Sequence, residues 1–159
     1  MAKQAAKTNV IRALEASGIS FTFREFDVSA GVPSGVEMAA QIGQDPDYVF
    51  KTLVTQGASG GHYVFVIPVA ATLNLKKAAK AAGEKSIEMI RQAQLLPLTG
   101  YIHGGCSPIG MKKAFPTFFA EEIILIDTIL VSGGRPGLQI QLAVADLLAV
   151  TGGTVADLT

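Results

Sequence analysis

The chain has 159 residues, 49% of them hydrophobic and 16% charged, and its 13 Lys plus Arg balance 13 Asp plus Glu. That composition fits one domain spanning residues 1–159 with a real apolar core, and it excludes disorder and a broadly basic nucleic-acid binder. The single cysteine, Cys106, excludes an intrachain disulfide framework and suggests a reducing compartment.

The start, Met1-Ala2-Lys3-Gln4, carries no signal-peptide pattern, and no apolar run is long enough for a membrane span. A cytoplasmic protein with no membrane contact is expected. Val10, Ile11 and Leu14 have helical spacing, with Gly18 as a stop. Phe21 and Phe23 open a strand-like alternation over residues 20–27. Residues 29–35 are turn-rich. Ser34 and Glu37 then have capping-box spacing for a short helix ending near Gly43. Asp45-Pro46 reads as an N-cap followed by a first-turn proline.

Residues 48–55 form the clearest strand, apolar on both faces as in the centre of a sheet. Gly57–Gly61 is a turn, and His62–Pro68 is the partner strand. Asn74 caps a helix through Ala82, closed by Gly83. A short strand and a short helix occupy 85–96. Ile123–Ile126 and Thr128–Ser132 read as strands, Leu138–Ile140 as another, and Ala143–Val150 as a helix closed by Gly152-Gly153. Strands and helices mix without strict alternation, so the class is α+β.

The candidate chemistry lies in a few places. Lys51 sits inside the apolar strand, with Val49 and Leu53 on its face. It is either a snorkelling edge lysine or a fixed positive charge in a cleft, suited to a phosphate or a developing oxyanion. Thr52 points to the opposite face. From Gly104 to Gly110 there are three glycines and a proline within seven residues. Such a loop is either a tight turn or a concavity that aims backbone N–H groups at an oxygen. Cys106, inside it, has no evident activating base and reads more simply as a packed thiol. His62 and His103 have no metal-ligand spacing. Lys76, Lys77 and Lys80 share a helix. With Lys85, Lys112, Lys113 and Arg135 they form either solvated faces or a local phosphate rim. No Walker loop, dinucleotide fingerprint, nucleophile elbow or paired carboxylates are present.

Four segments in order carry a family likeness: Tyr48–Leu53, Leu73–Ala78, Gly100–Lys113 and Val131–Leu138. With them the chain resembles the YbaK/EbsC family of trans-editing aminoacyl-tRNA deacylases, related to the editing domain of bacterial prolyl-tRNA synthetases. The Gly-Gly-x-Ser-Pro-x-Gly loop narrows the likeness to the Cys-tRNA(Pro) deacylase branch. The resemblance implies a strongly curved, barrel-like mixed sheet surrounded by helices. It implies removal of cysteine from Cys-tRNA(Pro), and from Cys-tRNA(Cys), with no cofactor and no metal. The family's essential lysine falls on Lys51, followed by Thr52; its substrate-loop glycine falls on Gly104, beside Gly105 and Ser107; its pocket serine falls on Ser132. Phe26 stands where close relatives commonly carry tyrosine, and Gln139 where they often carry aspartate.

The mechanism so implied needs no protein nucleophile. The substrate's own thiol attacks the ester carbonyl, Lys51 holds the terminal adenosine, and N–H groups of Gly104 and Gly105 hold the carbonyl oxygen. The implied partners are the aminoacyl-tRNA acceptor end and prolyl-tRNA synthetase, and not DNA. Two other readings stay open. One is deacylation of another small ester, such as Ala-tRNA(Pro), by bound water. The other is a non-catalytic module for an acceptor end or a nucleotide.

Overall fold

A computed structural model of the chain describes residues 7–159. The leader-free start read at Met1-Ala2-Lys3-Gln4 lies outside them. Helix α1 (Asn9–Ala16) is capped by Thr8, whose hydroxyl accepts the Ile11 N–H, and it buries Val10 and Leu14. Strand β1 (Phe21–Glu25) follows. Helix α2 (Gly35–Gln41) opens in the expected capping box: Ser34 Oγ accepts from Glu37 N, and the Glu37 carboxylate accepts from Ser34 N. Such a cap contributes about 1 kcal/mol. Asp45 caps a single 3-10 turn, Pro46–Tyr48.

The chain then forms β2 (Phe50–Gly57), β3 (His62–Pro68), α3 (Leu75–Ala82), β4 (Ile87–Met89) and α4 (Gln92–Thr99). It closes with β5 (Thr117–Ala120), a 3-10 helix (Glu121–Leu125), β6 (Thr128–Ser132), β7 (Leu138–Ala143), α5 (Val144–Thr151) and β8 (Thr154–Ala156). Asn74 and Gly83 bound α3 as expected: Asn74 Oδ1 accepts from two N–H groups, and Gly83 takes φ 71°.

Two expectations fail locally. Ile123–Ile126 is not a strand, because the chain turns there in a 3-10 helix that exposes Ile124 and Leu125. The sequence reading also contains neither β5 nor β8. Both are short, and both are held by parallel pairing, β5 to β3 and β8 to β5.

The class is α+β, and the strands form two sheets. One is antiparallel, ordered β1-β7-β6; the other is mixed, ordered β4-β2-β3-β5-β8. They meet at one parallel bridge, Val49↔Leu130. The sheets are therefore not closed into a barrel, because the ladder between β2 and β6 stops after this pair. The main core includes Phe50, Phe65, Ile67, Phe119, Ile140 and Leu147, all at most 2% exposed. Each side chain of this size contributes roughly 1.5–3 kcal/mol by leaving water. A smaller cluster, Met38, Ala39, Val49, Val69 and Leu130, packs beside the bridge. Among the described residues no helix is long and apolar enough to cross a membrane.

Candidate active site

The site lies where the two sheets part. Beyond Val49↔Leu130, the residues next in phase are Lys51 and Ser132. They form no ladder pair. Both instead line a cavity of about 300 Å³.

Lys51 extends from β2 and is half-buried. Its ammonium belongs to none of the ion pairs among the described residues. Burial holds its pKa below the ordinary lysine value. No Asp or Glu lines the cavity. A cation that has lost part of its water and found no carboxylate is poised for an anion brought by a ligand.

Two other wall atoms are incomplete in the same way. Thr52 Oγ1 and Gln139 Oε1 are buried and have no hydrogen-bond partner, and they are the only such side-chain atoms among the described residues. An unmet buried polar group costs roughly 1–3 kcal/mol, so both sitting in one cavity marks a binding surface. Gln139 lies on β7, cross-strand from Ser132 on β6 and Arg24 on β1. Ser132 Oγ accepts from Gly134 N at 3.2 Å, which braces the turn between β6 and β7. Phe26 stands on the wall just past β1, where its N–H donates to Gly137 O at 2.9 Å. The remaining lining is largely apolar, with Phe50, Met38, Val69 and Leu95 prominent.

The Gly104–Gly110 loop divides its residues between lining and support. Gly104 lines the cavity at φ +86°, and a Cβ there would meet Val32 at 3.0 Å. Neither Gly104 N–H nor Cys106 N–H meets an acceptor among the described residues. Gly105 is different. Its N–H donates to Ile102 O at 2.9 Å, so it has no donor left for a substrate. A Cβ on Gly105 would lie 2.7 Å from the Arg135 backbone, so this glycine lets the two turn-rich loops touch. Ser107 is fully buried, outside the lining, and its Oγ accepts from Ile109 N at 3.2 Å. Gly105 and Ser107, expected to contact substrate, therefore stand outside the lining and support the loop in this structure.

The model of the aminoacyl-tRNA editing domain matches residues 30–150. The chain belongs to this aminoacyl-tRNA editing family. A protein of Enterococcus faecalis, EbsC, provisionally named a Cys-tRNA(Pro)/Cys-tRNA(Cys) deacylase, is 45% identical over 99% of this chain and 96% of its own. A crystal structure provisionally described as a trans-editing enzyme for prolyl-tRNA synthetase matches with TM-score 0.83 and 27% identity. It covers 98% of this chain and 99% of that one. The editing domain is an aminoacyl-tRNA deacylase fold with its cavity at the sheet junction.

Within this editing domain Cys106 lines the cavity, but burial pushes its thiol up to about 12 against the pull of the Thr99 hydroxyl. It stays protonated near neutral pH and is a poor nucleophile. His103 lines the mouth and is exposed; His62 instead packs its ring against Phe115. The phosphate rim does not assemble at the cavity. Lys77 pairs with Asp157 at 3.1 Å, Arg135 pairs with Glu25 at 2.9 Å, and Lys76, Lys80, Lys85, Lys112 and Lys113 are not in the lining.

Sequence reasoning missed the wall made by Val32–Gly35. Pro33-Ser34-Gly35 signalled only a turn and a cap. Gly35 could have flagged it: a Cβ there would lie 2.6 Å from Val69 Cβ, so the helix start presses directly on the turn that follows β3. A second cavity, about 490 Å³, is larger, but Asp45, Asp47 and Glu122 line it without a cation. Three carboxylates repel a phosphodiester, so volume is a poor guide here.

Proposed function

We propose that this editing domain removes cysteine from tRNA, with Cys-tRNA(Pro) as the main substrate and Cys-tRNA(Cys) as a second. The observation that carries the reading is a cavity with an unpaired cation, no carboxylate and a cysteine thiol kept protonated by burial. The nucleophile then comes with the substrate. Its thiol sulfur bonds to the ester carbonyl carbon, the ester C–O bond breaks, and the thiol proton ends on the ribose oxygen. The aminoacyl group departs as a cyclic thiolactone.

Lys51 binds the terminal adenosine phosphate or ribose. The N–H groups of Gly104 and Cys106 meet the carbonyl oxygen as charge develops on it. Phe26, Thr52, Ser132 and Gln139 shape the pocket around the amino acid. The apolar wall excludes bulkier side chains and limits water. Net charge of zero leaves most tRNA contact to a partner, for which prolyl-tRNA synthetase is the candidate, in the cytoplasm.

The deciding experiment compares Cys-, Ala- and Ser-tRNA(Pro) deacylation, with and without prolyl-tRNA synthetase. Cysteine is expected to leave fastest, with thiolactone detectable by mass spectrometry. Faster loss of alanine would replace thiol attack by water. Acceptor-end binding with no deacylation would make this a binding module.

A further inference from the structure

The charge around Gln139 is one-sided. Across the strand on β1 lies Arg24, whose guanidinium donates to Gln141 Oε1 at 3.1 Å. Across the gap lies Lys51 on β2, with no counter-ion. From the glycine loop come His103 and the protonated Cys106. The one carboxylate of α2, Glu37, lies outside the cavity lining and accepts from the Ser34 N–H. In the turn that follows β6, Arg135 is tied to Glu25. No Asp or Glu lines the cavity that Gln139 lines.

Against this background stand two acceptors without donors, Gln139 Oε1 and Thr52 Oγ1. A half-turn of the carboxamide exchanges its oxygen and nitrogen with no change in shape, so Gln139 can present either to the cavity. An aminoacyl ester carries an α-amino group. As a free amine it has two N–H donors and no charge. As an ammonium it finds no carboxylate in the wall, and Lys51, held by the terminal adenosine, offers it no acceptor.

We propose that this cavity accepts the aminoacyl ester with its α-amino group unprotonated, Gln139 and Thr52 accepting its N–H groups while the carboxylate-free wall rejects the ammonium. This rests on the deacylase reading above. Gln139 is thereby a specificity-determining residue for the protonation state of the substrate. Recognition sharpens as the pH rises through the substrate's own amine pKa, about 7.7–8.0 for an ordinary α-amino group and lower beside an ester.

The test measures KM for Cys-tRNA(Pro) and for 3-mercaptopropanoyl-tRNA(Pro), which keeps the thiol and lacks the amine. The expected result is a KM for the cysteinyl ester that falls roughly tenfold or more between about pH 6 and about pH 8. KM for the amine-free ester should not share this fall. Any titration of Lys51 moves both substrates together and cancels in their ratio. Thiol ionisation appears in kcat for both. In Gln139→Glu the ratio is expected to flatten, because a carboxylate now receives the ammonium. Gln139→Met should raise KM for the cysteinyl ester alone. A pH-independent KM ratio in the unaltered protein overturns the proposal without any variant. Failure to deacylate either ester would instead overturn the deacylase reading.

Discussion

The two ends of β2 use the same residue types in opposite ways. At its far end β2 is paired on both sides, to β3 and to β4. There Thr55 is fully buried, and its hydroxyl donates to Tyr63 O at 2.9 Å. At its near end β2 is paired to β3 alone, with only the Val49↔Leu130 bridge on the other edge. There Thr52 buries its hydroxyl with no partner, and Lys51 holds a charge with no counter-ion. Polar groups that serve the fold are satisfied by the fold. Polar groups left incomplete at a sheet opening are matched to something that arrives later.

The sharpest way to break this comparison is Lys51→Ala. Deacylation is expected to fall by a factor of about 100 or more, because the cation that positions the terminal adenosine is lost. Tm should stay equal or rise, because a desolvated cation leaves. A fully active variant would remove Lys51 from the site.

Gly104→Ala comes next. It forces a side chain into φ +86° and against Val32. Stability should drop by about 1–2 kcal/mol, and activity by more than that drop accounts for. Denaturant midpoints beside single-turnover rates separate the two effects.

The threonines test the comparison most directly. Thr55→Val should lower stability by about 1 kcal/mol and leave turnover unchanged. Thr52→Val should leave stability unchanged or improve it, yet weaken binding of the cysteinyl ester. Equal effects of the two variants on stability would erase the distinction.

Cys106 gives the smallest effect. Cys106→Ser should retain activity within about twofold, since a thiol raised this far does no nucleophilic work. The raised pKa also has a linkage sign. The folded state keeps the thiol neutral, so its contribution is whole below the unfolded value of 9.0 and is lost as pH rises through about 12. Urea unfolding of Cys106→Ala should accordingly show a shallower alkaline loss of stability. An identical alkaline profile would mean the thiol is not buried in solution.

Local signals were legible wherever a short-range interaction decides the structure. Asn74 and Gly83 bound α3, and Ser34 with Glu37 opens α2, because caps act within one turn. The Ile123–Ile126 run shows the limit. Its residues suit a strand, but no neighbouring strand is there to pair with, and Ile124 stands 70% exposed. For β5 and β8 the reverse holds. Each is only a few residues long and exists through a parallel partner far away in sequence.

At the site the same division applies. The sequence by itself determined that a lysine interrupts an apolar strand, that a glycine loop follows, and which family these motifs resemble. Tertiary structure alone decided that Gly104 faces the cavity while Gly105 spends its N–H on Ile102, and that Ser107 is interior. It also decided that Lys51, Thr52, Ser132 and Gln139 meet at one opening. The physical reason is that a residue's type is local, whereas the partner it lacks is known only once every other strand is in place.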